Sequence, residues 1–252
     1  MKRIAARLDI KGNNLIKGIC LEGLRVVGSP NAYADKYYDS GIDELVYIDA
    51  VASLYGRNSL VEILESTSKN VFVPLVVGGG IRSIEDMDSL LRAGADRLAI
   101  NTAAFSNSSL ITQGAETYGT QCIVLSIAAK KIREDKWECY TEGGREPTGI
   151  DVIDWVKNAE GLGAGEIFLT SIDRDGTQSG MDTDLIKKVS NSTSLPVIAS
   201  GGAGCVKDCF ESIKIDGVDA VAIGAGLHFE KFTIKDLKEH LSDKKIRIRP
   251  VE

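Results

Sequence analysis

Pro74-Leu-Val-Val-Gly-Gly-Gly80 returns about half a chain later as Pro196-Val-Ile-Ala-Ser-Gly-Gly202. Each is a short apolar run that ends in glycines. Downstream of the first, Gly94-Ala-Asp-Arg-Leu-Ala-Ile-Asn101 has a matching partner in Gly217-Val-Asp-Ala-Val-Ala-Ile-Gly224. Upstream, the run that closes on Leu8-Asp9-Ile10-Lys11 is echoed by Ile127-Ala128-Ala129-Lys130. The chain therefore repeats its own pattern once. Around these anchors, apolar runs predict strands near 3–9, 44–50, 73–78, 96–101, 121–127, 165–171, 195–200 and 218–224. Several are rich in Val, Ile and Leu without polar alternation, as strands covered on both faces are. Amphipathic stretches lie between them. Ser83 with Asp86 signals the start of a helix running to Ala93, and the last helix is predicted at Ile234 to Leu241.

Eight strand–helix units in 252 residues fit an α/β protein folded as a single (β/α)8 TIM barrel spanning 1–252. A doubly wound sheet has the same elements, but four units repeated once make a closed eight. The barrel is thus read as two similar half-barrels, about 1–120 and 121–252, with no linker between them.

Composition narrows the function classes. Hydrophobic residues are 43% and charged residues 26%, an ordinary globular balance. The formal net charge of -6 argues against a nucleic-acid surface, which needs clustered Lys and Arg. No apolar run approaches the ~20 residues of a membrane helix. Lys2, Arg3, Arg7 and Asp9 interrupt the N-terminus, so no signal-peptide core is present and a cytoplasmic location is expected. Cys20, Cys122, Cys139, Cys205 and Cys209 are scattered, and only His228 and His240 could join them. Neither a metal nor a cofactor is expected. Trp137 and Trp155 are read as packing residues.

Glycines at strand ends let backbone N–H groups approach a ligand, and a following helix N-terminus favours an anion. Gly78-Gly79-Gly80 with Asn101 and Thr102 forms one such phosphate cradle, and Ser200-Gly201-Gly202 with Gly224, Ala225 and Gly226 repeats it. Two cradles across one barrel mouth suit an elongated small molecule with a phosphate at each end. Asp9, Asp49, Asp173 and Asp175 fall at C-terminal strand ends, the catalytic face of a barrel. Asp49 and Asp173 read equally well as caps of loop backbone. Asp9, with Lys11 and Lys17 nearby, reads as a carboxylate kept ionised to act as a base.

These residues carry a resemblance. Arg7-Leu-Asp-Ile-Lys11, Lys17-Gly18, Asp43-Glu44-Leu45-Val46, Val77-Gly-Gly-Gly-Ile-Arg82 and Ala99-Ile-Asn-Thr102 match a known pattern. So do Gly163-Ala-Gly-Glu-Ile167, Thr170-Ser-Ile-Asp-Arg-Asp-Gly-Thr177 and Ala199-Ser-Gly-Gly-Ala-Gly204. The chain resembles the cyclase (HisF) family of imidazole glycerol phosphate synthase from end to end. That resemblance implies a glutaminase partner, HisH-like, docked under the barrel as a heterodimer. It implies ammonia passing up the barrel to a bisphosphorylated ribulosyl aminoimidazole carboxamide nucleotide. The products would be imidazole glycerol phosphate and an aminoimidazole carboxamide ribotide. By the resemblance, Asp9 is a catalytic aspartate and Lys17 a substrate-loop lysine. Gly80, Asn101 and Thr102 fall on one phosphate site, and Gly176, Gly202, Gly224 and Ala225 on the other. Asp49, Lys130, Thr170 and Asp175 complete the active-site face. Arg3, Glu44, Arg97 and Glu166 form the ammonia gate, with Arg97 where the family has Lys, and Asp96 faces the partner.

Two departures are adjacent. The family's second catalytic aspartate is Ala128 here, and Arg7 stands where Cys is usual. Strand alternation puts Arg3, Arg7 and Asp9 on one face, so Arg7 is expected inside the barrel below Asp9. A buried guanidinium needs a partner, and Asp9 or Asp49 is the candidate, in space freed at Ser126 and Ala128. Three readings stand at this point. One is a cyclase working with Asp9. Another is a non-cyclising paralogue relaying ammonia to a sugar amidotransferase in glycan amidination. The last is a phosphate-ligand barrel without ammonia, which the gate residues disfavour.

Overall fold

The computed structural model describes residues 1–52 and 60–250. In chain order the strands are β1 (Arg3–Lys11), β2 (Asn14–Ile19), β3 (Glu22–Gly28), β4 (Glu44–Asp49), β5 (Leu75–Gly78) and β6 (Arg97–Ile100). They continue as β7 (Ile123–Arg133), β8 (Lys136–Thr141), β9 (Glu146–Asp151), β10 (Glu166–Ser171), β11 (Val197–Ser200) and β12 (Val218–Ile223). Eight of them, β1, β4, β5, β6, β7, β10, β11 and β12, pair in parallel in that cyclic order, and β12 returns to β1. The pairing of β7 with β10 joins the two halves. The closed barrel replaces the doubly wound alternative.

All eight expected strands are present, with ends shifted by a few residues. The remaining four strands are new. β2 and β3 form an antiparallel extension of β1, and β8 and β9 an extension of β7. These hairpins ride above the barrel rim: their outer strands β3 and β9 are exposed or half-buried, while β2 buries Leu15, Ile16 and Lys17 and β8 buries Trp137 and Cys139. Their buried positions are few and interrupted by polar residues, so they leave no long apolar run in the sequence. Because of them β1 runs on to Lys11, so Asp9 lies inside the strand and not at its end.

Helices fill the outside. Ser83 caps the helix Ile84–Arg92 through a reciprocal pair of hydrogen bonds with Asp86, as its spacing predicts. Thr233 and Asp236 do the same for Ile234–Asp243. The core is consequently split in two. A large shell of Leu, Ile and Val lies between strands and helices. A smaller cluster fills the barrel itself: Ala5, Val46, Val76, Ala99, Val124, Phe168, Ile198, Ala220 and Ala222. Strand parity explains the second set, since side chains of one strand alternate between lumen and shell. Trp137 and Trp155 are both buried; Trp155 stacks on Phe105 at 4.4 Å between centroids, and Trp137 Nε1 donates to Asp182. Among the described residues no helix is long and apolar enough to cross a membrane.

Candidate active site

Following the lumen from the N-terminal to the C-terminal strand ends gives three chemically distinct layers. At the bottom, Arg3 (β1), Glu44 (β4), Arg97 (β6) and Glu166 (β10) alternate in sign and close a ring. Arg3 reaches Glu44 at 3.0 Å and pairs with Glu166, while Arg97 pairs with both glutamates. Burial pushes the Glu44 carboxyl up to about 7 against the pull of Arg3 and Arg97. The four residues expected to form a gate are therefore brought together. Asp96 is exposed beside this end, and its carboxylate accepts from Leu75 N–H at 2.8 Å, tying β6 to the start of β5.

The middle layer is the apolar lumen cluster. Above it the top layer is ionic. Arg7 lies inside the barrel, 5% exposed, and its guanidinium sits 5.6 Å from the Phe168 ring centroid. Its Nε donates to Asp9 Oδ1 at 2.8 Å, and its Nη1 to Thr170 Oγ1 at 3.0 Å and Ser200 Oγ at 3.4 Å. Lys17, from β2, donates to Asp9 Oδ2 at 2.7 Å and to both oxygens of Asp175 at 2.9 and 3.0 Å. Arg7 is also 3.6 Å from Asp175. Two cations and two carboxylates thus form a neutral, buried cluster. Burial opposes charge on Asp9, but Arg7 and Lys17 overcome it and hold the carboxyl well below the usual carboxylate range. Burial likewise works against the Arg7 charge, and Asp9 and Asp175 outweigh it.

The expected placement of Arg7 is met, and of its two candidate partners the structure selects Asp9. Asp49 is not the partner: its carboxylate accepts from Val51 N–H at 3.0 Å and steadies the loop after β4. Asp175 takes the second role. Asp173 likewise accepts from Lys131 N–H at 2.8 Å, as a loop cap. Lys130 is a correction. It is exposed, with its ammonium 5.4 Å from the Tyr140 ring centroid on the hairpin, and it lines neither cavity described below. The cause is the length of β7, which carries position 130 beyond the barrel rim.

Two adjoining cavities occupy the mouth. The larger, about 380 Å³, is lined by Asp49, Gly79, Gly80, Arg82, Asn101 and Thr102, among others. This is the first cradle. Gly79 cannot carry a side chain: its φ is +102° and a Cβ would fall 2.5 Å from Asp49 O. The smaller cavity, about 70 Å³, is lined by Arg7, Asp9, Lys17, Asn101, Ser126 and Ala128, among others. Glu142 and Gly143 of the β8–β9 turn reach the first cavity, and Gly143 and Gly144 the second. That turn is tied down by Glu142 N–H donating to Thr102 Oγ1 at 3.1 Å and by Asn101 Nδ2 donating to Tyr140 O at 3.4 Å. Sequence reasoning missed these residues with the hairpin; Gly143-Gly144 was the turn signal available.

The second cradle is drawn together around the chain's own loops. Gly180 N–H donates to Gly202 O at 2.9 Å, and a Cβ on Gly202 would fall 2.2 Å from Gly180 O. A Cβ on Gly176 would fall 2.1 Å from Gly18 O. Gly224 faces Lys17, whose Nζ lies 3.6 Å from where a Cβ would stand, and Ala225 is buried at the next helix start. Beneath this side, His228 Nδ1 shares a 2.6 Å hydrogen bond with Tyr37 Oη. Burial, then Lys17, bring the imidazole down to about 4, so it is neutral.

Comparison with known proteins converges on one group. The family model for histidine biosynthesis proteins matches residues 3–233. The imidazole glycerol phosphate synthase subunit HisF of Legionella pneumophila is 60% identical over 206 residues, covering 82% of this chain and 97% of that protein. The subunit HisF of Bacillus cereus (strain Q1) is 47% identical over 248 residues, 98% of each chain. That of Prochlorococcus marinus (strain MIT 9301) is 45% identical over 252 residues, 99% of this chain and 98% of the relative.

Proposed function

We propose, from the premise that this chain belongs to the HisF family of imidazole glycerol phosphate synthase cyclase subunits, that it closes the imidazole ring with Asp9 as its only proton-transfer carboxylate. The observation that carries the reading is the barrel axis. A charged ring, an apolar lumen and an ionised aspartate stand in line under an open glycine cradle. Ammonia from a HisH-like glutaminase would enter through Arg3, Glu44, Arg97 and Glu166, on the face that bears Asp96. The apolar layer favours neutral ammonia over ammonium, whose charge is costly to bury.

At the mouth, a bisphosphorylated ribulosyl aminoimidazole carboxamide nucleotide would place one phosphate on Gly80, Asn101 and Thr102. The other would lie on Gly176, Gly202, Gly224 and Ala225. Both oxygens of Asp9 accept from cations, which makes the carboxylate a weak base until one of them is drawn away. A phosphate beside Gly224 competes for the Lys17 ammonium and so raises the basicity of Asp9. Asp9, held ionised, serves as base. Asp49 fixes the loop behind the first cradle, and Thr170 and Asp175 hold Arg7 and Lys17 in place.

Ala128 favours a second reading. It stands in register with Thr170, the residue that receives the Arg7 guanidinium, and it brings no acid to the site. On that reading the chain relays ammonia to a sugar amidotransferase and does not cyclise. An assay at saturating ammonium salt, without any glutaminase, separates the two. Turnover in the wild type that vanishes in Asp9→Asn supports the cyclase. Retained binding of the bisphosphorylated nucleotide without turnover supports the relay.

A further inference from the structure

Strand β6 places Arg97 in the lower ring and Ala99 in the apolar lumen, and Asn101 continues the same alternation at the top. Asn101 lines both cavities of the mouth. The β8–β9 hairpin sets its amide: Nδ2 donates to Tyr140 O at 3.4 Å, and a turned amide would put oxygen against oxygen. Oδ1 is left buried, with no hydrogen-bond partner among the described residues. No other buried side-chain atom left unmet among those residues belongs to a residue that lines either cavity. An amide oxygen only accepts, and leaving it unmet is costly, so the group that belongs there is a donor. A phosphate, mostly doubly ionised at neutral pH, offers oxygens and not hydrogens. It keeps Gly80 and Thr102, and the Asn101 side chain has a different task. The smaller cavity narrows the kind of donor. The two carboxylates lining it, Asp9 and Asp175, are already paired with Arg7 and Lys17, so neither is spare to offset a buried cation. A small neutral donor is favoured.

We infer that Asn101 is the ammonia-docking residue at the top of the lumen: its Oδ1 accepts an N–H of neutral ammonia as the molecule leaves the apolar layer above Ala99. Ammonia held by donation keeps its lone pair, the nucleophilic end, for the nucleotide. A donor at this place would tie that lone pair up, so an acceptor is the group the task needs. The smaller cavity, about 70 Å³, exceeds the ~30 Å³ share of a single water in the liquid, so a molecule of ammonia's size fits. The hairpin has a part in this, because Tyr140 O fixes which amide atom is left over. The inference rests on the reading that ammonia rises through the barrel, but not on whether the protein cyclises.

The test follows the 13C signal of the Asn101 side-chain carboxamide in the full chain, titrated with ammonium chloride and, separately, with inorganic phosphate. In mildly alkaline solution, where neutral ammonia is plentiful, the signal is expected to move saturably. In mildly acid solution, where nearly all of it is ammonium, the signal should stay in place, and phosphate should leave it still. A carboxamide that ignores ammonia, follows ammonium equally in acid, or follows phosphate instead overturns the inference. Kinetics give a second readout. In ammonium-driven cyclisation, Asn101→Leu should raise the KM for ammonia about tenfold, the loss of one hydrogen bond, and leave the affinity for the bisphosphorylated nucleotide unchanged. Weaker nucleotide binding with an unchanged KM for ammonia would assign Asn101 to the nucleotide and overturn the inference. The wild-type spectra decide by themselves if Asn101→Leu does not fold. A wild type that shows the ammonia shift without turnover counts against the cyclase reading and leaves the docking site standing.

Discussion

β1 and β7 open the two half-barrels in the same way. Each runs past the rim, and each pairs with an antiparallel hairpin. At matching places along them, β1 carries Arg7 and Asp9 where β7 carries Ser126 and Ala128. The lumen-facing register is common to both, so the difference is purely one of side chains. On β1 the result is a saturated ionic cluster. On β7 it is a cavity. The fold duplicates positions faithfully, while the chemistry at those positions is free to diverge. Here the charge has been gathered on one side of the mouth.

The cradles differ in the same sense. The first opens onto the larger cavity. The second is held by Gly180, Gly18 and Lys17, parts of the chain itself. On the proposed reading, a ligand phosphate beside Gly224 would compete with Asp9 for the Lys17 ammonium, so phosphate binding would make Asp9 a stronger base.

The comparison can be broken in steps. The largest effect is expected from restoring symmetry with Ala128→Asp. A second positioned carboxylate is worth ~10²–10⁴ in rate, so ammonium-driven cyclisation should rise by that factor. An unchanged rate would mean that β7 has no part in proton transfer. Next, Arg7→Met removes one partner of a buried ion pair. It should cost about 3–5 kcal/mol of unfolding free energy in urea titrations. A loss under about 1 kcal/mol, as for a surface pair, would place Arg7 outside the cluster. Smaller again is Gly202→Ala. Its φ is +99° and the new Cβ has no room beside Gly180 O, so a cost of about 1–3 kcal/mol is expected. Gly149→Ala, also at positive φ but with open space around it, should cost less.

The smallest effect concerns the lower ring. Glu44 has its carboxyl raised from 4.5 to about 7, chiefly by burial. Such a group binds its proton more tightly when folded. Its contribution to stability is full below the unfolded value and is lost as pH rises through about 7. Wild-type stability should therefore slope downward between mildly acid and neutral pH, and Glu44→Gln should flatten that slope. Parallel curves would assign the slope to other groups.

Much of this was legible in the sequence. The barrel followed from the repeated strand ends and from apolar runs without polar alternation, the mark of strands covered on both faces. The lower ring was implied by the family resemblance, and Asp9 by its place near a strand end beside Lys11 and Lys17. Parity placed Arg7, but could not choose its partner. Asp175 reaches the cluster only through the path of the loop after β10, which no periodicity encodes. The hairpins were invisible because the few buried positions of β2 and β8 are interrupted by polar residues and the outer strands carry no apolar pattern. Lys130 was misplaced for a related reason: a strand extended by a hairpin leaves the barrel before its side chains cease to alternate.

The central claim is that Asp9 is kept ionised by Arg7 and Lys17, with no carboxylate facing it from β7. Its most direct test is the 13C carboxyl shift of Asp9, followed from about pH 7 down to about pH 3.5 in the wild type and in Arg7→Met. The wild-type signal should hold its ionised position throughout. In Arg7→Met the titration should move up toward the ordinary carboxylate range. Wild-type Asp9 titrating near its ordinary value, or a signal indifferent to the loss of Arg7, would contradict the account.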